Sequence, residues 1–262
     1  MITSTSNNRV KQVINLQQKA KERSKTKCFV TEGLRLFEEV PKHLIREVYV
    51  SEQYLEKAGE PALLQGISYE VVTEEVFRKM SDTKTPQGIL AVVKMPEYTL
   101  EDMISVECPL LVLLEDIQDP GNLGTIMRTS EGAGVSGVIM TRDTVDLFNP
   151  KTVRSTMGSI FRVPFYYVED LRQTMELLHK KGIATFAAHL KGEKYYDQLD
   201  YTAGCGFLIG NEGNGLKKET ADAARMYLKI PMQGKLESLN AAVATSLLIY
   251  EASRQRRGQK SS

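Results

Sequence analysis

A chain of 262 residues, 42% apolar and 26% charged, is long enough for one large domain or two medium ones and too rich in core-forming residues to be disordered. The net charge of +1 sets no overall bias toward a polyanion, yet residues 1–30 carry seven basic side chains against one acidic. The longest apolar runs, such as 109–114, are far too short to span a bilayer, and the opening MITSTSNNRVK lacks the apolar segment of a secretory leader. Cys28, Cys108 and Cys205 are dispersed without C-x-x-C spacing, so neither a metal site nor a disulfide framework is expected. A reducing, cytoplasmic setting without membrane attachment fits these features.

Val10, Val13, Ile14 and Leu16 recur at helical spacing, predicting a helix over 7–23 capped by Asn7 or Asn8. The basic cluster Lys19, Lys21, Arg23, Lys25 and Lys27 reads either as a solvated face or as a phosphate-contacting surface. Short alternating elements follow: strands at 29–30, 47–50, 71–72 and 88–94, and helices at 34–40 and 76–80. Together they make a small α/β domain over 1–96, with 97–107 as a linker.

The second domain, 108–262, opens on Leu110-Leu-Val-Leu-Leu114, continuously apolar like a strand covered on both faces. A helix over 123–133, a strand at 138–140, and a helix begun by Asn149-Pro150 and running to about 160 come next. Then follow a strand at 165–168, a helix over 171–181 closed by Gly182, and a strand at 183–190 with His189 near its end. Apolar runs at 207–209 and 227–230 stop at Gly210-Asn-Glu-Gly-Asn-Gly215 and Pro231, and Ser238-Leu239-Asn240 opens a long last helix. Strands alternating with helices predict a mostly parallel sheet with helices on both faces, whose ligands bind beyond the carboxyl ends of the strands.

Some patterns are set aside. Gly132-Ala-Gly134-Val-Ser-Gly137 matches a dinucleotide fingerprint but follows a helix and precedes a strand, the reverse of what that site needs. The 210–215 loop has Leu216 where a phosphate-binding loop needs Lys. His43, His179 and His189 form no H-x-x-x-H pair, and no G-x-S-x-G elbow occurs. Arg128, inside the helix that Asn122 is placed to start, reads either as a core-edge ion pair or, with that helix N-terminus, as a phosphate binder.

Three segments taken together are specific: Asn122-Leu-Gly124-x-x-x-Arg128-Thr129, Ile209-Gly-Asn-Glu212-Gly-x-Gly215-Leu216, and Ile230-Pro-Met-x-Gly234-x-x-x-Ser238-Leu239-Asn240. In order and spacing they resemble the motifs of the SpoU/TrmH family of RNA ribose 2′-O-methyltransferases, over about residues 108–255. The segment Asn8-Arg9-Val10-Lys11 and Phe29-Val-x-Glu32-Gly33 resemble the RNA substrate-binding domain that many members carry.

The resemblance implies a deep trefoil knot in the 205–250 stretch, a feature otherwise nearly absent from proteins. It implies S-adenosylmethionine as cofactor, held at Gly210, Ile230 and Leu239 with His189 beside them, and catalytic positions at Asn122, Arg128, Glu212, Ser238 and Asn240. It implies a homodimer through the knotted domain, with Arg9, Lys11 and the basic cluster contacting RNA. Ribosomal RNA is the implied substrate, with transfer RNA or a catalytically silent RNA-binding role as alternatives. Only RNA offers a 2′-hydroxyl, so DNA is excluded if the activity holds.

Overall fold

The computed structural model describes residues 1–58 and 62–259; the last three residues of the basic tail read from the sequence lie outside them. The chain forms two compact units, Met1–Glu97 with Asp146–Phe161, and Tyr98–Val145 with Arg162–Ser262.

The first unit begins with α1 (Asn8–Gln18) and α2 (Ala20–Thr26). The single helix predicted over 7–23 breaks at Lys19, which is extended at φ −123 and ψ 110. Arg23 explains the break. Its guanidinium donates to the carbonyls of Leu16 and Gln17 at 2.7 and 3.1 Å, satisfying the end of α1 in place of a continuing helix. Asn7 caps α1 by accepting from Arg9 N–H at 2.8 Å. There follow β1 (Cys28–Glu32), α3 (Leu34–Glu38), β2 (Ile45–Ser51), α4 (Glu52–Ala58), β3 (Glu70–Val72), α5 (Glu74–Met80) and β4 (Ile89–Lys94). The four strands form one sheet in the order β1-β4-β2-β3, antiparallel except where β2 meets β3. Val10, Val13 and Leu16 of α1 pack with Val76, Phe77 and Met80 of α5 over Val30, Tyr49 and Val92 of the sheet.

Residues 97–107, read from the sequence as a linker, instead carry α6 (Leu100–Ile104) and belong to the second unit from Tyr98 onward. Thr99 and Asp102 form a reciprocal capping box, and Met103 and Ile104 are buried on the large sheet. Met103 packs so closely on Gly137 that a Cβ there would lie 2.5 Å from it. Next come β5 (Leu110–Leu114), α7 (Pro120–Ala133) and β6 (Gly137–Thr141). The glycine fingerprint set aside from the sequence is the turn between α7 and β6, with Gly134 left-handed at φ 76.

The chain then rejoins the first unit through α8 (Pro150–Thr156), which ends at left-handed Met157 before a short turn, earlier than the predicted residue 160. Arg23 pairs with Asp146 at 2.6 Å, and the Phe29 ring lies 4.9 Å from that of Phe148. Sequence periodicity assigns this segment to the second domain because such long-range pairing leaves no local signal.

The second unit is completed by β7 (Phe165–Val168), α9 (Leu171–Lys180), β8 (Ala184–Ala188), β9 (Lys194–Tyr195), β10 (Cys205–Ile209), α10 (Lys218–Asp222), β11 (Met226–Lys229) and α11 (Ala241–Gln259). Seven strands pair in parallel in the order β7-β6-β5-β10-β8-β11-β9. β5, β6 and β10 are buried along their whole length, since α6, α9 and α10 cover one face of the sheet and α7 and α11 the other. The short α4, α10 and β9 have no counterpart among the sequence expectations, being too brief for a periodic signal.

Arg23, expected from the sequence to contact RNA, is 3% exposed. Replacing it by Met should remove the Asp146 pair and uncap α1 while keeping much of its volume. The expected loss is about 2–4 kcal/mol, read from urea unfolding. A change within about 0.5 kcal/mol would show that the pair does not stabilise the unit.

Candidate active site

The carboxyl ends of β5, β8, β10 and β11 carry the motif-bearing loops, and the first is tied to the third by side chains. Glu115, 3% exposed, accepts from Lys217 N–H at 2.7 Å and from the Thr220 hydroxyl at 2.5 Å. Asp116 is left-handed at φ 55, pairs with Lys217 at 2.7 Å and accepts from the Thr141 hydroxyl at 2.8 Å. Burial opposes its ionisation, but these two partners outweigh it and hold its pKa below the usual value. Its carbonyl accepts from Asn211 Nδ2 at 2.8 Å. None of these four positions, Glu115, Asp116, Asn211 and Lys217, was singled out from the sequence. Asn211 carries the one usable signal, an Asx-turn residue directly after Gly210 and two before Gly213.

The 210–215 loop folds tightly on itself. Asn211 Oδ1 accepts from the N–H groups of Gly213 and Asn214 at 2.9 and 3.1 Å, and Gly215 N–H donates to the Asn211 carbonyl at 2.8 Å. Gly210 has no room for a side chain, because a Cβ would lie 2.1 Å from Gly215 C and Leu216 N.

Glu212 leaves this loop toward the start of α7. Its carboxylate accepts from Gln118 N–H at 3.0 Å, Asp119 N–H at 3.0 Å and Asn122 Nδ2 at 2.9 Å. Burial raises its pKa and these donors lower it, with a net shift below the ordinary glutamate value. Asn122, whose N–H is capped by Asp119 at 2.8 Å, accepts at Oδ1 from Asn240 Nδ2, also at 2.8 Å. Asn240 in turn caps α11, accepting from Ala242 and Val243 N–H at 2.9 and 3.3 Å. Glu212, Asn122 and Asn240 thus form one chain joining three elements, and each amide orientation is fixed by its neighbour.

Arg128 and Ser238 stand outside that chain. Both are exposed and make no hydrogen bond or ion pair among the described residues. The core-edge ion pair considered for Arg128 is therefore not formed.

Beside the chain lies a cavity of about 360 Å³, within the size range of small-molecule sites. Gly210, Ile230, Leu239 and His189 all line it, together with Ser238, Glu212 and Glu237. The His189 ring stacks on Tyr227 at 4.7 Å and accepts at Nδ1 from Lys191 N–H at 3.1 Å. Backbone groups of residues 232–239 make no hydrogen bond to other backbone among the described residues, and of these Met232, Glu237, Ser238 and Leu239 line the cavity, where their main chain is available to a ligand. Apolar walls at Ile209, Ile230, Leu239 and Ala244, with open main-chain donors and acceptors, suit a flat heterocycle carrying polar edges.

In the first unit, Lys11, Lys19, Lys21, Lys25 and Lys27 are exposed. Arg9 is not a free cation: it pairs with Glu47 at 3.2 Å and Glu70 at 2.9 Å and lies 5.4 Å from the Tyr49 ring centroid. With Arg23 buried, the exposed basic surface is narrower than the sequence suggests.

Comparison with known proteins points one way. The family described as SpoU rRNA Methylase matches residues 109–250, and the MRM3-like substrate binding domain matches residues 7–91. The chain is 35% identical over 252 residues to the 23S rRNA (guanosine(2553)-2′-O)-methyltransferase RlmP of Bacillus subtilis, covering 95% of this chain and 97% of that protein. The SpoU methyltransferase AviRb from Streptomyces viridochromogenes, solved in complex with AdoMet, aligns with a TM-score of 0.85 at 28% identity over 96% of this chain and 98% of its own. An AdoMet-bound rRNA methyltransferase from Sinorhizobium meliloti aligns with a TM-score of 0.80 at 32% identity, covering 97% of each chain.

Two outcomes follow from the geometry. Gly210→Ala should displace the 215–216 backbone and weaken ligand binding in the cavity on the order of tenfold to a hundredfold by calorimetry, with the far-UV spectrum unchanged. The Glu212 clasp should persist down to the ordinary glutamate pKa of about 4.3 and loosen only as pH falls through its lower folded value. Ligand affinity followed from pH 7 downward should therefore hold through that range, whereas Glu212→Gln should weaken binding at every pH.

Proposed function

Because the chain belongs to the SpoU rRNA methylase family, we propose that it transfers a methyl group from S-adenosylmethionine to a ribose 2′-hydroxyl of 23S ribosomal RNA. The observation that carries this reading is the hydrogen-bonded chain Glu212–Asn122–Asn240 beside a cavity walled by Gly210, Ile230 and Leu239. Bound in that cavity, S-adenosylmethionine supplies an electrophilic methyl group on a sulfonium.

In this reading the 210–215 loop and the 232–239 segment hold the cofactor through main-chain groups and apolar contact. Glu212 is a positioning residue. All three of its donors belong to the residues around the start of α7, so it aligns Asn122, which aligns Asn240. Asn240 Nδ2 retains a second hydrogen, and the Ser238 hydroxyl is unpartnered among the described residues, so both can orient the ribose. The Arg128 guanidinium serves to bind the neighbouring phosphate and stabilise the developing alkoxide.

The finer features belong to the same proposal. The stretch 205–250 is threaded as a trefoil knot, a reading supported by β10 lying between β5 and β8 and by the ties from its loop to residues 115–122. The working form is a homodimer, supported by exposed Val243, Leu247 and Tyr250, which share one face of α11 at spacings of four and three residues. The first unit holds the RNA, with Lys11, Lys19, Lys21, Lys25 and Lys27 on the backbone phosphates. A ribosomal substrate sets this work in the cytoplasm.

Incubation with labelled S-adenosylmethionine and unmodified 23S rRNA, followed by nucleotide mapping, should give one 2′-O-methylated site. Label in transfer RNA alone, or tight RNA binding without any label, would overturn the assignment. Arg128→Ala should reduce methyl transfer by at least about a hundredfold while leaving cofactor affinity within about twofold. Near-normal turnover in that variant would remove Arg128 from the site.

A further inference from the structure

Two carboxylates stand on the wall of the cavity, Glu212 and Glu237. They differ in what they are bound to. Glu212 is held by three donors from the protein itself. Glu237 is exposed and makes no hydrogen bond or ion pair among the described residues. Lys229, the one lysine on the same wall among the described residues, directs its ammonium over the Tyr195 ring, 5.1 Å from the centroid. An uncommitted negative charge on a ligand cavity favours a cation in the ligand. Its place favours one cation in particular. Glu237 directly precedes Ser238 and shares the cavity wall with Glu212, whose carboxylate holds Asn122, and the reacting sulfur must face the Asn122–Asn240 pair to present its methyl group.

We propose that Glu237 gives the cavity its charge selectivity, favouring the sulfonium of S-adenosylmethionine over the neutral thioether of the product, S-adenosylhomocysteine. This rests on the reading of the cavity as a S-adenosylmethionine pocket. During transfer the carbon–sulfur bond breaks, its electron pair stays on sulfur, the methyl group bonds to the ribose oxygen, the proton of the 2′-hydroxyl passes to solvent water, and the sulfur loses its positive charge. Glu237 then attracts the donor on entry and has no charge at sulfur to hold once the methyl group has left.

The test is calorimetric binding of both compounds to the full-length wild type, Glu237→Gln and Glu237→Asp, with melting temperatures as a control for folding. Glu237→Gln should lose about fivefold in affinity for S-adenosylmethionine, the size of a partly exposed ion pair, with S-adenosylhomocysteine unchanged within about 1.5-fold. Glu237→Asp should recover part of the difference. Raising the salt should narrow the preference in the wild type and not in Glu237→Gln. Equal losses for both compounds would mean that the carboxylate serves their shared ammonium group, and no loss would mean that it serves neither; either result overturns the inference. A wild type that binds neither compound would overturn the pocket reading and this inference with it.

Discussion

Three donors from the residues around the start of α7 converge on the carboxylate of Glu212, and the rest of the site depends on that convergence. A carboxylate drawn partly out of water is unfavourable unless hydrogen bonds replace its hydration. Here two backbone N–H groups and one amide do so, and the amide is Asn122. Because Asn122 has its Nδ2 on Glu212, its Oδ1 must face Asn240, and Asn240 must then cap α11 with its remaining oxygen. One ionised group therefore orients two amides and joins the ends of two helices to a strand loop. The loop can take part only because Gly210 lets the 215–216 backbone pass where a side chain would stand.

The site is rigid on one side and open on the other. Glu115, Asp116, Asn211 and Lys217 bind the loops after β5 and β10 to each other. Residues 232–239 keep their backbone groups free, and Arg128, Ser238 and Glu237 have no partner among the described residues. Groups already oriented need no reorganisation when charge develops, while unpartnered groups supply the interactions that a ligand and a substrate complete.

The first unit shows how charge counting misleads. Seven cations in the first thirty residues suggest one continuous basic face. Two of them turn out to be structural. Arg23 ends one helix and pairs with Asp146 from far along the chain, and Arg9 bridges two glutamates of the sheet. Arginine is suited to this because its planar fork satisfies several acceptors at once. The five lysines stay in water.

The sequence by itself determined the alternation of strands and helices, the parallel sheet, and the glycine, proline and asparagine punctuation of the motif loops. These depend on local chemistry: apolar runs that demand cover on both faces, residues that cap helices, and positions where only glycine permits close approach. It also marked Asn122, Glu212 and Asn240, through motif spacing. Tertiary structure alone decided that these three form one hydrogen-bonded chain, that Arg128 and Ser238 remain outside it, that residues 97–107 carry a short packed helix, Leu100–Ile104, and that 146–161 folds with the first unit. The physical reason is distance along the chain. The Glu212–Asn122 and Arg23–Asp146 contacts join residues 90 and 123 positions apart, and no periodicity or turn signal encodes which buried partner a side chain will meet.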